Sequence, residues 1–459
     1  MRALLAALLL LAVAAPAAQA RKSQFTIFEA SRELRSHNPA VREQVFNEIE
    51  AFGVHWIRVV LYWRDVAPRA GSRSRPDFRQ TDPAAYDWSI YERIVADAER
   101  RGIRVLMTPS GPGPDWATLA GDGVDYPSPS RFYRFMKAAG RQFRDRIDYW
   151  SIWNEPNHPQ FLGPQYRRGK PYSPRLYRRL FKRAEKALDR TGNRRDRVIM
   201  GETAPRGNSN VVHPIKFMRR ALCLNRRFRE YRRCQRLDAD GYAHHPYTTR
   251  SGPFFVSRRR NDVTIGSLGR LVRALDRAAR SRNIRRKLPI YLTEFGIQSR
   301  PDPNYGVSET RQAEWRSIGE RIAWGRGRVR AISQYLMRDD LPREGRDRFG
   351  GFESGLRYAD GERKRAYNGF RLPLVARRDG RRVRLWGLVR PADGRTRVEI
   401  RYRNRGSRRW RRLKRDRTDR RGYWRATTRY RRGRSYHVRW TAPDGDRFRG
   451  PRTRVVRWR

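Results

Sequence analysis

Trp56-Ile57-Arg58-Val59-Val60-Leu61, then Tyr91 to Arg101, then Ile103-Arg104-Val105-Leu106-Met107 decide the fold. The first and last runs are short, apolar and β-branched, as buried strands are. Between them Ile94, Val95 and Ala98 recur on one helical face, and Gly102 stops the helix. Strand, helix, strand in that order predicts a parallel βαβ unit.

The unit repeats outward from there, between Gln24 and about Phe370. Further strand candidates are Phe25–Phe28, Ile147–Trp153, Val198–Gly201, Ala239–His244, Pro289–Thr293 and Ala331–Leu336. Helical stretches lie at Val41–Phe52, Leu176–Leu188 and Ile265–Ala279. Eight strands with crossover helices predict an α/β fold, a closed (β/α)8 TIM barrel. No GxGxxG follows a strand, which argues against a dinucleotide-binding sheet.

After about Pro373 the texture changes. Val383–Val389, Thr396–Tyr402, Gly422–Tyr430, Tyr436–Trp440 and Arg452–Trp458 alternate with period two, separated by turns such as Pro443-Asp444-Gly445. No helical period remains, and a small all-β sandwich is expected. The domain scheme is therefore 1–20 leader, 21–370 barrel and 371–459 sandwich.

The leader reading rests on Met1-Arg2, an apolar Ala3–Ala15 and the small-residue site Ala18-Gln19-Ala20. That is a secretory signal cleaved after Ala20, too short for a membrane span. No later stretch is apolar enough to cross a bilayer, so a secreted, soluble chain is expected. Cys223 and Cys234 are the two cysteines. In an exported protein such a close pair reads as a disulfide. It closes the basic loop Leu224–Arg233. The spacing suits no zinc site, HExxH is absent, and neither metal nor cofactor is expected.

Lys and Arg total 105 against 46 Asp and Glu. One reading is an anionic partner, a cell envelope or an acidic glycan. The other is a bias toward Arg that spreads solvated charge over the whole chain. The segment from Arg371 onward is the most basic part. It either holds the chain on an anionic surface or acts as a spacer. Nucleic acid is not expected, because no aromatic-plus-basic recognition motif is present.

In a barrel of this kind, chemistry belongs at the C-terminal ends of strands. Two glutamates sit at such ends. Glu155 lies in Ile152-Trp153-Asn154-Glu155-Pro156-Asn157 after the fourth strand, and Glu294 in Tyr291-Leu292-Thr293-Glu294-Phe295-Gly296 after the seventh. Strands four and seven face each other across a barrel mouth. Paired carboxylates there suit cleavage of a glycosidic bond, one protonating the leaving oxygen and the other attacking or activating water.

These segments resemble the acid/base and nucleophile motifs of clan A glycoside hydrolases, the cellulase-like group that includes families 5 and 39. The resemblance spans roughly Gln24 to Phe370. It implies a retaining glycosidase with Glu155 as acid/base and Glu294 as nucleophile. It implies that Asn154 binds a sugar 2-hydroxyl, that Tyr247 of His245-Pro246-Tyr247 donates to the nucleophile, and that His245 lines the site. Arg58 matches the strand-two arginine that pairs with the nucleophile. The C-terminal part resembles immunoglobulin-like or fibronectin-like modules of exported enzymes.

Other residues carry two readings each. Trp63 and Trp116 are either sugar platforms or packing; Trp153 ends the fourth strand. Tyr335 stands where many clan members have a Trp. His244 reads as a packing neighbour. Glu202 reads as a loop carboxylate, with substrate binding as the alternative. The loops Arg69–Asp82 and Asn157–Tyr172 are expected to shape the cleft. The functional expectation is hydrolysis of a poly- or oligosaccharide. The alternative is a catalytically inactive carbohydrate- or envelope-binding protein. Which glycan is cut, and whether within the chain or at its end, is not legible.

Overall fold

The computed structural model describes residues 24–345, 348–392 and 394–458. The leader assigned to residues 1–20 lies outside them. Among the described residues no helix is long and apolar enough to cross a membrane.

Eight strands form the barrel: β1 (Phe25–Glu29), β2 (Trp56–Tyr62), β3 (Arg104–Ser110), β4 (Tyr149–Ser151), β5 (Arg197–Thr203), β6 (Gly241–His244), β7 (Ile290–Leu292) and β8 (Val329–Tyr335). Each pairs in parallel with the next, and β8 closes on β1 with Phe25 opposite Ala331 and Glu29 opposite Tyr335. All eight fall where the sequence predicts strands, with ends displaced by a few residues.

The period of two within each strand sets the interior. Ile27, Trp56, Leu106, Tyr291 and Ala331 form an apolar plug inside the barrel. Two residues further along the same strands come Glu29, Arg58, Thr108, Thr293 and Ser333, all buried. A polar layer thus stands directly above the plug, at the C-terminal mouth. The outer helices pack their apolar stripes on the strands. In helix Pro39–Ala51, capped by the Asn38 side chain, Val45, Phe46 and Ile49 are buried, and Gly53 turns the chain out with φ +61°.

The second unit comprises β9 (Leu374–Asp379), β10 (Arg382–Leu388), β11 (Arg397–Arg403), β12 (Arg411–Arg417), β13 (Tyr423–Arg429), β14 (Ser435–Thr441), β15 (Arg447–Arg449) and β16 (Thr453–Arg457). β16 joins β9–β10–β13 to β14–β11–β12, and β15 pairs with β14. Leu374, Leu385 and Trp424 of one half share a core with Ile400, Val438 and Trp440 of the other. This is the expected sandwich. It adds three strands that the alternation does not reveal. β12, Arg-Arg-Leu-Lys-Arg-Asp-Arg, pairs only with β11; charge on such an edge strand blocks further pairing.

The sandwich is fastened to the barrel. Trp324, on the helix before β8, packs against Trp386 and Tyr423, each at 5.7 Å between ring centroids. Glu320 on that helix is buried between Arg316 and Arg390.

Candidate active site

Arg58 organises the mouth. It projects from β2 fully buried, and its three nitrogens reach five partners. Nη1 donates to Glu29 Oε2 and Glu294 Oε1, both at 2.7 Å. Nη2 donates to Asn154 Oδ1 at 2.7 Å and Glu202 Oε2 at 3.0 Å, and Nε to Thr108 Oγ1 at 3.2 Å. Only a planar guanidinium can fork in this way.

Glu294 follows β7. Its second oxygen, Oε2, accepts from the Tyr247 hydroxyl at 2.9 Å. Burial first, and then the Glu294 charge, push the Tyr247 phenol well above its ordinary range, so it stays a donor. Glu155 follows β4, with Oε1 2.8 Å from His245 Nδ1. An oxygen of Glu155, a nitrogen of His245 and an oxygen of Glu294 lie within 4.8 Å of one another.

His245 bridges three carboxylates. Its Nε2 lies 2.6 Å from Glu202 Oε2, and its Nδ1 lies 3.5 Å from Glu294 Oε2. Burial alone would lower its pKa. Glu294, Glu155 and Glu202 outweigh that and raise it to about 10. A doubly protonated ring donates from both nitrogens.

Glu202 is neither a loop carboxylate nor open to substrate. It lies within β5, fully buried, and accepts from Ser151, Thr293, Arg58 and His245. Burial would raise its pKa, but Arg58 and His245 prevail and take it down to about 2. It is a strut that orients the two cations. Glu29 touches the same guanidinium but otherwise accepts only from Ser31. There burial prevails over Arg58, the Glu294 charge adds to it, and the pKa rises to about 7. Glu29 escaped the sequence reading, although the strand-end rule applied to β1 picks it out.

Asn154 gives its oxygen to Arg58, which leaves its Nδ2 hydrogens for a ligand. Its own N–H donates to Ser110 Oγ at 2.9 Å. Trp153, Glu155 and Glu202 have φ of +69°, +34° and +46°. Left-handed backbone at non-glycine residues costs on the order of 1–3 kcal/mol each and clusters at functional sites. His244 packs as expected: Nε2 lies 2.9 Å from the Val263 carbonyl, Nδ1 lies 2.9 Å from Thr203 Oγ1, and burial pushes its pKa to about 3.

The tryptophan platforms are corrected. Trp63 and Trp116 are buried edge-to-face against each other, and Trp63 also stacks on Phe135 at 5.2 Å. Neither presents a face to a sugar. Trp153 is buried as well, its Nε1 donating to the Phe161 carbonyl. The rings that line the cavity at the mouth are Tyr247, Phe255, Tyr305, Trp315, Phe349 and Phe352, with Tyr335 packed behind two of them. Tyr335 meets Tyr247 at 6.1 Å and Phe352 at 5.0 Å. Phe352 comes from the loop after β8, which no motif marks.

A cavity of about 920 Å³ opens beside Glu155 and Tyr247, walled by the loops after β5, β6, β7 and β8. From the loop 157–172, His158 contributes to its wall. The Arg69–Asp82 loop does not line it; Phe78 packs inward on Trp116 and Tyr86.

Solved structures share this arrangement of domains. A monomeric β-xylosidase from Caulobacter crescentus CB15 superposes with a TM-score of 0.53 at 14% identity, over 91% of this chain and 95% of that one. A glucosidase from Croceicoccus marinus gives 0.53 at 11% identity, over the same shares. GH5_18 from Streptomyces cattleya, in complex with GlcNAc, gives 0.51 at 14%, over 76% of this chain and 79% of that one. The likeness is one of fold, a closed parallel barrel followed by a β-sandwich. No protein-family model matches the sequence, and no curated protein matches it.

Cys223 and Cys234 form a disulfide, as the sequence suggests. It closes a loop in which Leu224 bridges Glu230.

Proposed function

We propose that the chain is an exported glycoside hydrolase that cleaves β-glycosidic bonds of a poly- or oligosaccharide with retention of configuration. The observation that carries this is the approach of Glu155 and Glu294 oxygens to within 4.8 Å across the mouth. Retaining enzymes hold their carboxyl groups about 5–5.5 Å apart, whereas inverting ones leave about 6.5–9.5 Å for a water.

The partners divide the roles. Glu294 has one oxygen on Arg58 and the other on Tyr247. Both contacts aim it, and Arg58 holds it against a permanent cation, as a nucleophile requires. Glu155 has His245, itself a proton-bearing group, and is more open to the cleft. Glu294 attacks the anomeric carbon while Glu155 protonates the departing oxygen. Glu155 then takes a proton from water, which attacks the glycosyl ester and frees Glu294. Two inversions give net retention. Asn154 donates to the 2-hydroxyl, and Phe352 with Trp315 supplies ring faces beside the bound sugar, Tyr335 backing Phe352. Export is supported by the leader sequence and by the disulfide, which suits an oxidising compartment.

The test is Glu294→Ala with added azide. Turnover falls almost to nothing, and azide restores it with a glycosyl azide of inverted configuration. Undiminished turnover without azide would overturn the assignment.

A further inference from the structure

One cluster of basic side chains beside the cleft is not used by the mechanism. A trough of about 1110 Å³ runs between the helix after β5 (Pro214–Ala221) and a helix after β6 (Leu268–Ala279). Lys216, Arg219, Arg220, Arg226, Arg273 and Arg277 line it, and no Asp or Glu does. None of the six is paired with a carboxylate among the described residues. Arg219 is only 6% exposed, and its guanidinium, without a hydrogen-bond partner among the described residues, lies over the Phe228 ring at 5.6 Å. Burial first, and then the neighbouring guanidinium charges, lower the pKa of Lys216 and Arg219. The cluster repels itself and is held by the two helices and by the disulfide loop that carries Arg226.

Its position ties it to the cleft. Helices after barrel strands start at the mouth and run down the outside. The trough therefore begins at the rim, where Arg260 and Asn261 line it. Their sequence neighbours Arg259 and Asp262 line the cleft, so the two cavities share one short segment as a wall. Arg206 and Arg258, also lining the cleft, have no carboxylate partner among the described residues either.

A cluster of cations without acids along one trough fits a chain with repeating anions. Single-stranded nucleic acid would also need open ring faces for stacking. Here Phe228 lies under Arg219 and Arg277, Tyr231 under Arg220, and Tyr166 under Lys216. We infer that the substrate is a polyanionic polysaccharide, carboxylated or sulfated, whose chain lies along this trough while one of its bonds sits between Glu155 and Glu294. The inference rests on the glycosidase reading for the cleft alone.

The test uses the triple variant Arg226→Glu, Arg273→Glu, Arg277→Glu, all exposed positions, with the corresponding triple Lys variant as control. Binding of labelled polygalacturonate and heparin oligosaccharides, and of a single-stranded oligonucleotide of equal charge, is read by fluorescence anisotropy. Steady-state kinetics on the polymers and on a small neutral aryl glycoside accompany it. The expected result is binding of one of the glycans about tenfold weaker or more in the Glu variant, with KM raised on that polymer. Its kcat and small-substrate turnover stay unchanged, and the Lys variant keeps most of the affinity. Which glycan responds tells carboxylate from sulfate. Failure of either glycan to bind wild type, or equal binding by wild type and Glu variant, overturns the inference, as does tighter binding of the oligonucleotide. A glycan bound in the trough but never cut by wild type would leave the trough and remove the glycosidase reading.

Discussion

Arg58 Nη1 sits 2.7 Å from Glu294 Oε1 and, by the same nitrogen, 2.7 Å from Glu29 Oε2. One buried cation therefore serves the proposed nucleophile and a second acid at once. Lysine offers one ammonium with three donors and lacks the planar fork that reaches five partners. Arg58→Lys is expected to lower kcat/KM by on the order of a hundredfold or more. It also destabilises the fold by about 3–5 kcal/mol, since Glu29 and Glu202 lose a buried partner. Kinetics together with a denaturant melt check both parts.

The His245–Glu202 pair makes a contribution to stability that is flat between about pH 4.5 and 6.5. The His245 pKa rises from 6.5 to about 10 on folding, so its contribution is full below pH 6.5 and is lost as pH climbs through about 10. That of Glu202 falls from 4.5 to about 2, so its contribution is full above pH 4.5 and is lost as pH drops through about 2. His245→Gln is expected to flatten the alkaline limb of Tm against pH. An unchanged alkaline limb in that variant would refute the assignment.

Trp63 and Phe352 should separate packing from platform. Trp63→Ala leaves a cavity among Trp116, Phe132 and Phe135. It should cost about 3–5 kcal/mol of stability. Phe352→Ala, at the half-buried mouth, should raise KM several-fold with little change in Tm. The reverse pattern would return Trp63 to the cleft.

The barrel was legible because its strands are buried on both faces and read as apolar runs at a steady spacing. The two catalytic candidates were legible because strand ends are where a barrel keeps its chemistry. What stayed hidden depends on closure. Nothing local tells Glu202, inside β5, from a solvated loop acid until Arg58 and His245 arrive from β2 and β6. A tryptophan after a strand looks the same whether it faces sugar or helix, as Trp63 shows. The basic trough is assembled from three separated segments, so evenly spread arginine in the sequence conceals it. β12 carries so much charge that no alternation survives.

The central claim is retention through a covalent intermediate on Glu294. The most direct measurement is proton NMR of the anomer first released from an aryl β-glycoside that the protein hydrolyses, followed before mutarotation. Net retention, with the β-anomer appearing first, is the predicted result. First release of the α-anomer would mean that water attacks directly, and would contradict the roles assigned to Glu155 and Glu294.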